Sequence, residues 1–429
     1  IWTNPKEIAG NGIDDDKNGY IDDIHGWNFL GNAVHEQLEM TRIVKKGPGT
    51  PDYDKAKAKL EEELKGIQGQ KQQLDFILNA EKTIKNHLKK DAFTLEDIKA
   101  IKSDDSGVKQ AKAMFTQILS NTTKEKFDAE IEEFKDYVYG QINYNLNVEY
   151  DGRSIVGDNP NDLKDKKYGN NNVFGPDPKA AKHGTHVAGI VAQVRGNNKG
   201  GDGVTNNAEI LVVRAVPDGD EYDKDIALGI RYAVDNGAKV INGSFGKYFS
   251  QNKEWVIDAI KYAESKDVLV VIAAGNESYD LDVTNKYPND TYDGSPEYTN
   301  NVLIIGALSP SYGTKMVADF SNYGKNNVDI YAPGDEIYAT TPLNTYEYLQ
   351  GTSMASPNVA GVATLIRSYY PSLTAVQVKQ VIMESGMPLK NTVILGEDKH
   401  KSNFSEASKS GKMVNAYNAL LLAKKMAKK

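Results

Sequence analysis

Ser353 stands in the string Gly351-Thr352-Ser353-Met354-Ala355-Ser356-Pro357, at the head of an apolar run. Far upstream lies a second unusual string, His183-Gly184-Thr185-His186-Val187-Ala188-Gly189. A hydroxyl in a tight turn and an imidazole in a Gly-flanked turn are two of the three groups of a nucleophilic triad, because a serine hydroxyl attacks only when a base takes its proton. Gly351 permits the turn. The helix that follows Ser353 would aim its amino end, and hence its positive field, at that hydroxyl. Pro357 has no N–H, so the carbonyl of Ser353 itself loses its helical partner. The Gly-Thr-Ser triplet alone reads equally as a capped helix start; the seven-residue string narrows the reading to a nucleophile. His183 and His186 also have the spacing of a metal pair, but no third ligand stands near them in sequence. His186 reads as a packing residue. Asn276 ends the apolar run Val270-Val271-Ile272-Ala273-Ala274-Gly275. Its amide N–H group there is placed to bond a developing oxyanion, though in isolation it reads as an ordinary turn Asn.

The elements around these residues change character along the chain. Residues 1–32 are rich in Asn, Gly and Asp without helical period, and are taken as an N-terminal part of the domain that bears the site. Residues 33–148 form a charged block with apolar residues at helical spacing, at Leu60, Leu64 and Ile67, then Leu74, Ile77, Leu78, Ile84 and Leu88. Thr94-Leu95-Glu96-Asp97 reads as a capping box, and Phe127, Ile131, Phe134 and Val138 share a face. This block reads as an all-α insertion of three to five helices, either a solvated lobe or a partner-binding one. Residues 149–429 hold the main part of the domain. Within them, apolar runs at Ile210–Val213, Lys239–Asn242, Val268–Ala273, Val302–Gly306 and Val328–Tyr331 alternate with helical stretches at 223–235, 252–264 and 354–368. That alternation predicts an α/β fold with a parallel sheet between helices, whose working residues collect at the carboxyl ends of the strands.

Composition excludes several classes. The 429 residues are 39% hydrophobic and carry a net charge of −8, which argues against nucleic acid as a partner. There is no cysteine, hence no disulfide, thiolate metal site or Cys nucleophile. No apolar run is long enough for a membrane span. The opening Ile1-Trp2-Thr3-Asn4-Pro5 suggests a processed protein or a fragment.

Taken in order, HGTHVAG, INGSFG, AAGN, FSNYG, YAPG and GTSMASPNVAG resemble the subtilisin-like serine proteases, over residues 176–425 and a short piece at the start. The opening Asp-rich pattern and the insertion are most similar to secreted Bacteroidetes members. The resemblance implies a three-layer α/β fold with a mainly parallel seven-stranded sheet. It implies His183 as general base, Ser353 as nucleophile and Asn276 with the Ser353 amide as oxyanion hole. Ser244, Phe245 and Gly246 would line the cleft and bind a polypeptide substrate as an added strand. The chain departs from the family in one respect: no apolar strand ending in Asp-Thr/Ser-Gly precedes His183. Asp22 and Asp23 precede Ile24-His25-Gly26-Trp27, and Asp151 precedes Gly152 without a strand, so none carries that motif, and Asp22 or Asp23 acting instead is the lesser alternative. The aspartate strand is expected upstream of Ile1, and the chain's own N-terminal segment or propeptide becomes an expected partner. In a subtilisin, loss of the aspartate alone costs about 3 × 10⁴ in turnover, so this chain is expected to be weak or inert by itself. An inactive scaffold on a protease fold is the rival reading. An α/β-hydrolase esterase fits poorly, since Ala355 replaces the last Gly of its nucleophile motif and His precedes Ser.

Asp14, Asp16 and Asn18 follow D-x-[DN]-x-[DN]-G spacing, with Gly19 at the turn, the Tyr20 carbonyl next and Asp22 or Asp23 to close the shell. A structural calcium ion is expected there, with a solvated acidic turn as the alternative. Position twelve is His25, so this is not a regular EF-hand.

Overall fold

The structure, a computed structural model, describes residues 1–428. They divide into two compact units, Ile1–Glu39 with Asp151 onward, and Met40–Tyr150. After a short strand β1 (Gly26–Asn28) come helices α1 (Glu39–Lys46), α2 (Tyr53–Leu88), α3 (Leu95–Ala100), α4 (Ser106–Leu119) and α5 (Lys124–Gly140). The apolar positions from Leu60 to Leu88 lie on one helix of 36 residues. Gly66 and Gly69 each cost it about 1 kcal/mol relative to Ala, less than the roughly 1.5–3 kcal/mol contributed by each buried large apolar side chain, such as Leu60, Ile67, Leu74 and Ile84. Thr94 and Asp97 do form the capping box that starts α3. This helical unit has its own core, in which Phe115 meets Phe93 and Phe127 edge-on at 5.4 and 5.5 Å.

The other unit continues through α6 (Arg153–Val156), α7 (Lys182–Ala192), β2 (Val212–Arg214), α8 (Asp223–Asp235), β3 (Val240–Gly243), α9 (Lys253–Ser265), β4 (Leu269–Ala273), β5 (Val302–Leu308) and β6 (Ile330–Pro333). A hairpin of β7 (Ile337–Thr341) and β8 (Thr345–Leu349) leads into α10 (Thr352–Tyr369) and α11 (Ala375–Ser385). The chain then runs through β9 (Met387–Pro388), β10 (Thr392–Leu395), β11 (His400–Asn403), β12 (Lys412–Met413) and α12 (Ala416–Met426). The main sheet has the order β3-β4-β5-β6-β12-β9, parallel except for β9. Its strands are apolar on both faces because both are covered. Val270, Ile272, Val302 and Ile304 join the core of α8 and α9, while Leu269, Val271, Leu303 and Ile305 join that of α10, α11 and α12. This is the expected three-layer α/β arrangement.

The sheet differs from expectation in one place. Instead of seven strands together, six form the main sheet, and β1 and β2 form a separate parallel pair. In that pair the Val212 amide donates to His25 and the Arg214 carbonyl accepts from Phe29, at 3.1 and 2.9 Å. Alternation along a parallel strand therefore turns the backbone groups of Val213 away from β1. At the end of the main sheet, the Lys239 carbonyl accepts from Leu269 at 3.1 Å, so those of Val240 and Asn242 turn outward. Among the described residues no bridge joins β2 to β3. Among them also, no helix is long and apolar enough to cross a membrane.

Candidate active site

Ser353 lies in the first turn of α10, just after β7 and β8 return the chain to the sheet. Gly351 precedes that helix with φ 144°, a conformation open to glycine and strained for any side chain. A Cβ there would stand 3.5 Å from Asn276 Nδ2 and 3.6 Å from the Ser353 amide nitrogen. Two donors thus flank one small space, and glycine keeps it empty. The Asn276 amide has a fixed orientation. Its Oδ1 accepts from the Thr352 amide at 2.8 Å and the Thr352 hydroxyl at 2.9 Å, which leaves the Nδ2 hydrogens for another acceptor. The Thr352 hydroxyl in turn accepts from the Gly275 amide at 3.0 Å. The loop is braced from behind: Glu277 accepts from the backbone N–H of Asn276 at 2.7 Å, and Asn322 donates to the Ala274 carbonyl at 2.8 Å.

Ser353 is coupled to the end of β3. Its freed carbonyl accepts from the Ser244 hydroxyl at 2.8 Å, and its own hydroxyl donates to the Ser244 carbonyl at 3.3 Å. Asn242 donates to Ser244 at 2.9 Å, and its Oδ1 accepts from Ser356 at 2.8 Å, so β3 and α10 are stitched along one row. Phe245 and Gly246 follow directly.

His183 sits in the first turn of α7, which packs on α10. It is exposed, and among the described residues it makes no hydrogen bond, to Ser353 or to a carboxylate. Although solvent reaches the ring, the protein around it desolvates the charged form, and with the nearby His186 this holds the imidazole below the usual histidine range. His186 is buried, and its Nε2 donates to the Glu347 carbonyl at 3.0 Å, consistent with packing rather than a metal pair. The pairing of Ser353 with His183 implied by the resemblance is thus replaced here by the Ser353–Ser244 bond.

The other acidic candidates are committed elsewhere. Asp23 is fully buried and accepts from Tyr232 at 2.6 Å, Asn4 at 3.0 Å and Asn18 at 3.0 Å. Asp22 was expected to help hold a cation, but its carboxylate accepts from the amides of Gly10, Asn11 and Gly12 at 2.8, 3.2 and 2.9 Å. Asn18 spends its side chain on Asp23 and on the Tyr20 amide. The residues that converge are Glu7, Asp14 and Asp16, whose oxygens lie within 4.8 Å of one another. Sequence spacing named the two aspartates and missed Glu7, which precedes the motif and is brought to it only by the fold. Asp151 accepts from the Ser154 amide at 3.2 Å, in the turn before α6.

The subtilase family model matches residues 83–411. The chain belongs to the subtilase family. It is 38% identical over 211 residues to a thermophilic serine proteinase of Bacillus sp. (strain AK1), covering 49% of this chain and 48% of that protein. Thermitase of Thermoactinomyces vulgaris is 41% identical over 187 residues, covering 43% of this chain and 61% of its own. Subtilisin DY of Bacillus licheniformis is 35% identical over 216 residues, covering 50% and 74%. This subtilase chain thus spans about half the length of the first of these relatives. Among solved structures, the protease domain of PatA is similar at 28% identity and a TM-score of 0.46, covering 58% of this chain and 82% of that one.

Proposed function

We propose that this subtilase is a secreted serine endopeptidase whose triad is completed by a strand seated between β2 and β3. The observation that carries the reading is the space beside Gly351, flanked by Asn276 Nδ2 and the Ser353 amide within one turn of the Ser353 hydroxyl. A peptide lying along Ser244-Phe245-Gly246 would bring its carbonyl to that space. His183 takes the Ser353 proton as Oγ bonds to the carbonyl carbon, and the two donors hold the oxyanion. The C–N bond then breaks, the leaving amine receives the proton from His183, and water releases the acyl-enzyme by the same steps reversed. The outward backbone groups of Val213, Val240 and Asn242 favour an added parallel strand, and an aspartate at its end would supply the carboxylate His183 lacks.

The test is labelling with a fluorophosphonate, alone and with a synthetic apolar strand ending in Asp. Wild type is expected to react and Ser353→Ala not. The strand should speed labelling, by up to about 10⁴ if it restores the aspartate's full contribution. Absence of labelling in both conditions by a folded chain would defeat the reading. It would favour the inactive scaffold, which the unpaired His183 and the Ser353–Ser244 bond already support for the chain alone.

The residues also fit a structural calcium ion. The Glu7 Oε2 atom is buried without a partner, and burial together with the charges of Asp23, Asp16 and Asp15 pushes its carboxyl above the usual range. Glu7, Asp14 and Asp16 would hold the ion, whose charge offsets their mutual repulsion. Chelation is expected to lower the melting temperature of wild type, and Glu7→Gln to remove most of that drop; equal drops in both would refute the site.

A further inference from the structure

Beyond Ser244 and Ser353, the cleft strand passes over a buried cation. Lys286 is only 3% exposed, and its ammonium donates to the Phe245 carbonyl at 3.1 Å. A Cβ on Gly246 would lie 2.1 Å from Lys286 Nζ and 2.5 Å from its Cε, so the ammonium occupies the place a side chain there would take. The neighbouring residues fix this position. Lys247 donates to the Tyr287 carbonyl at 2.9 Å and Tyr287 to the Lys247 carbonyl at 2.8 Å, pinning Lys286 beside Gly246.

An ammonium has three protons, and among the described residues only one of these has an acceptor. Nor does any carboxylate among them lie within ion-pair distance of it. Two acidic groups influence it from farther away. Glu277 is engaged by Tyr248, Asn322 and the backbone N–H of Asn276. Burial holds the Glu221 carboxyl above the usual carboxylate range, which disfavours its charged form. Lys286 itself is pushed down to about 8 by the same desolvation. A buried cation without a counter-charge is costly, and a ligand that supplies one is favoured.

We propose that Lys286 is a specificity-determining residue that selects a glutamate or aspartate side chain immediately before the scissile bond. This rests on the peptidase reading. The Phe245-Gly246 wall begins one residue beyond the Ser244–Ser353 pair, and the adjoining Gly275-Asn276-Glu277 loop carries the second donor of the anion space. A side chain entering between the two walls, next to the reacting carbonyl, reaches toward Lys286. Its carboxylate would take the two unclaimed protons in charge-assisted bonds, whereas an aromatic side chain would leave the ammonium buried and unpaired.

The experiment compares two peptidyl diphenyl phosphonates, one carrying the glutamate analogue and one the phenylalanine analogue, in whichever condition labels Ser353 with the generic fluorophosphonate. In wild type the glutamate probe is expected to react at least ten-fold faster. Lys286→Met should cut that ratio ten-fold or more, Lys286→Arg should keep it above one, and Lys286→Glu should transfer the preference to a lysine analogue. A lysine that merely braces the Phe245 carbonyl would leave the ratio unmoved. A wild-type preference for the phenylalanine probe, or an unchanged ratio in folded Lys286→Met, overturns the proposal while the generic labelling keeps the peptidase reading intact. Should Lys286→Met not fold, the wild-type ratio and Lys286→Arg decide. Loss of generic labelling itself defeats the peptidase reading and this inference with it.

Discussion

Gly351 combines a positive φ with an empty space shared by two donors, so a side chain there would disturb both the turn and the space. Gly351→Ala would strain the turn and place a methyl within 3.6 Å of both donors. We expect turnover to fall by 10²-fold or more, about the cost of losing one oxyanion donor in a subtilisin, with KM changed little. A kinetic comparison in the strand-completed protein checks this. His183 gives a pH prediction. Its folded-state imidazole is held below the usual range, so the neutral base persists to lower pH, and the acid limb of the labelling rate should lie below about 6.5. Seating an aspartate beside the ring would favour the imidazolium and move that limb upward. A limb that stays fixed while the strand accelerates labelling would show that the strand acts without pairing to His183. At this scale the sequence was most legible where chemistry demands a string, as around His183 and Ser353. Lys286 and Glu7 were not, because a lone Lys or Glu in a loop carries no spacing signal and only the folded chain gives it neighbours.

Between elements, one buried tie is announced by no motif. Arg153 of α6 grips Asp225 of α8 with two bonds of 2.6 and 2.9 Å, Tyr168 donates to the same carboxylate at 2.6 Å, and all three are buried. Deleting Asp225 would leave the buried Arg153 charge with Asp158 alone and the Tyr168 hydroxyl without its acceptor. Asp225→Ala is therefore expected to cost about 3–5 kcal/mol, read as a lower urea midpoint at unchanged slope. A loss under about 1 kcal/mol would mean that Asp158, which also contacts Arg153, suffices as counter-charge. The elements themselves were read well where apolar runs are long. Val268–Ala273 appears as β4 at Leu269–Ala273, and the stretch at 223–235 is α8 to the residue. The helical insertion was read only as three to five helices, and its longest, α2, runs unbroken through Gly66 and Gly69. The division of the sheet was invisible, because Val212, Val213, Val240 and Ile241 have strand chemistry whether or not a neighbour lies beside them.

Over the whole chain, a net charge of −8 would oppose association with polyanions, and the absence of cysteine leaves packing, ion pairs and any bound cation to hold it together. The family and the three-layer architecture were legible at this scale because six separate strings keep their order along the chain. The two half-buried strands β2 and β3 also decide how the material behaves in a vial. Each offers outward backbone groups with no blocking proline or charge among Val212, Val213, Val240 and Ile241, which makes it a template for a stray extended chain. Concentrated stocks should therefore be prone to oligomers seeded at these edges, and the short peptide that completes the sheet should also serve as a formulation agent that keeps the molecules apart.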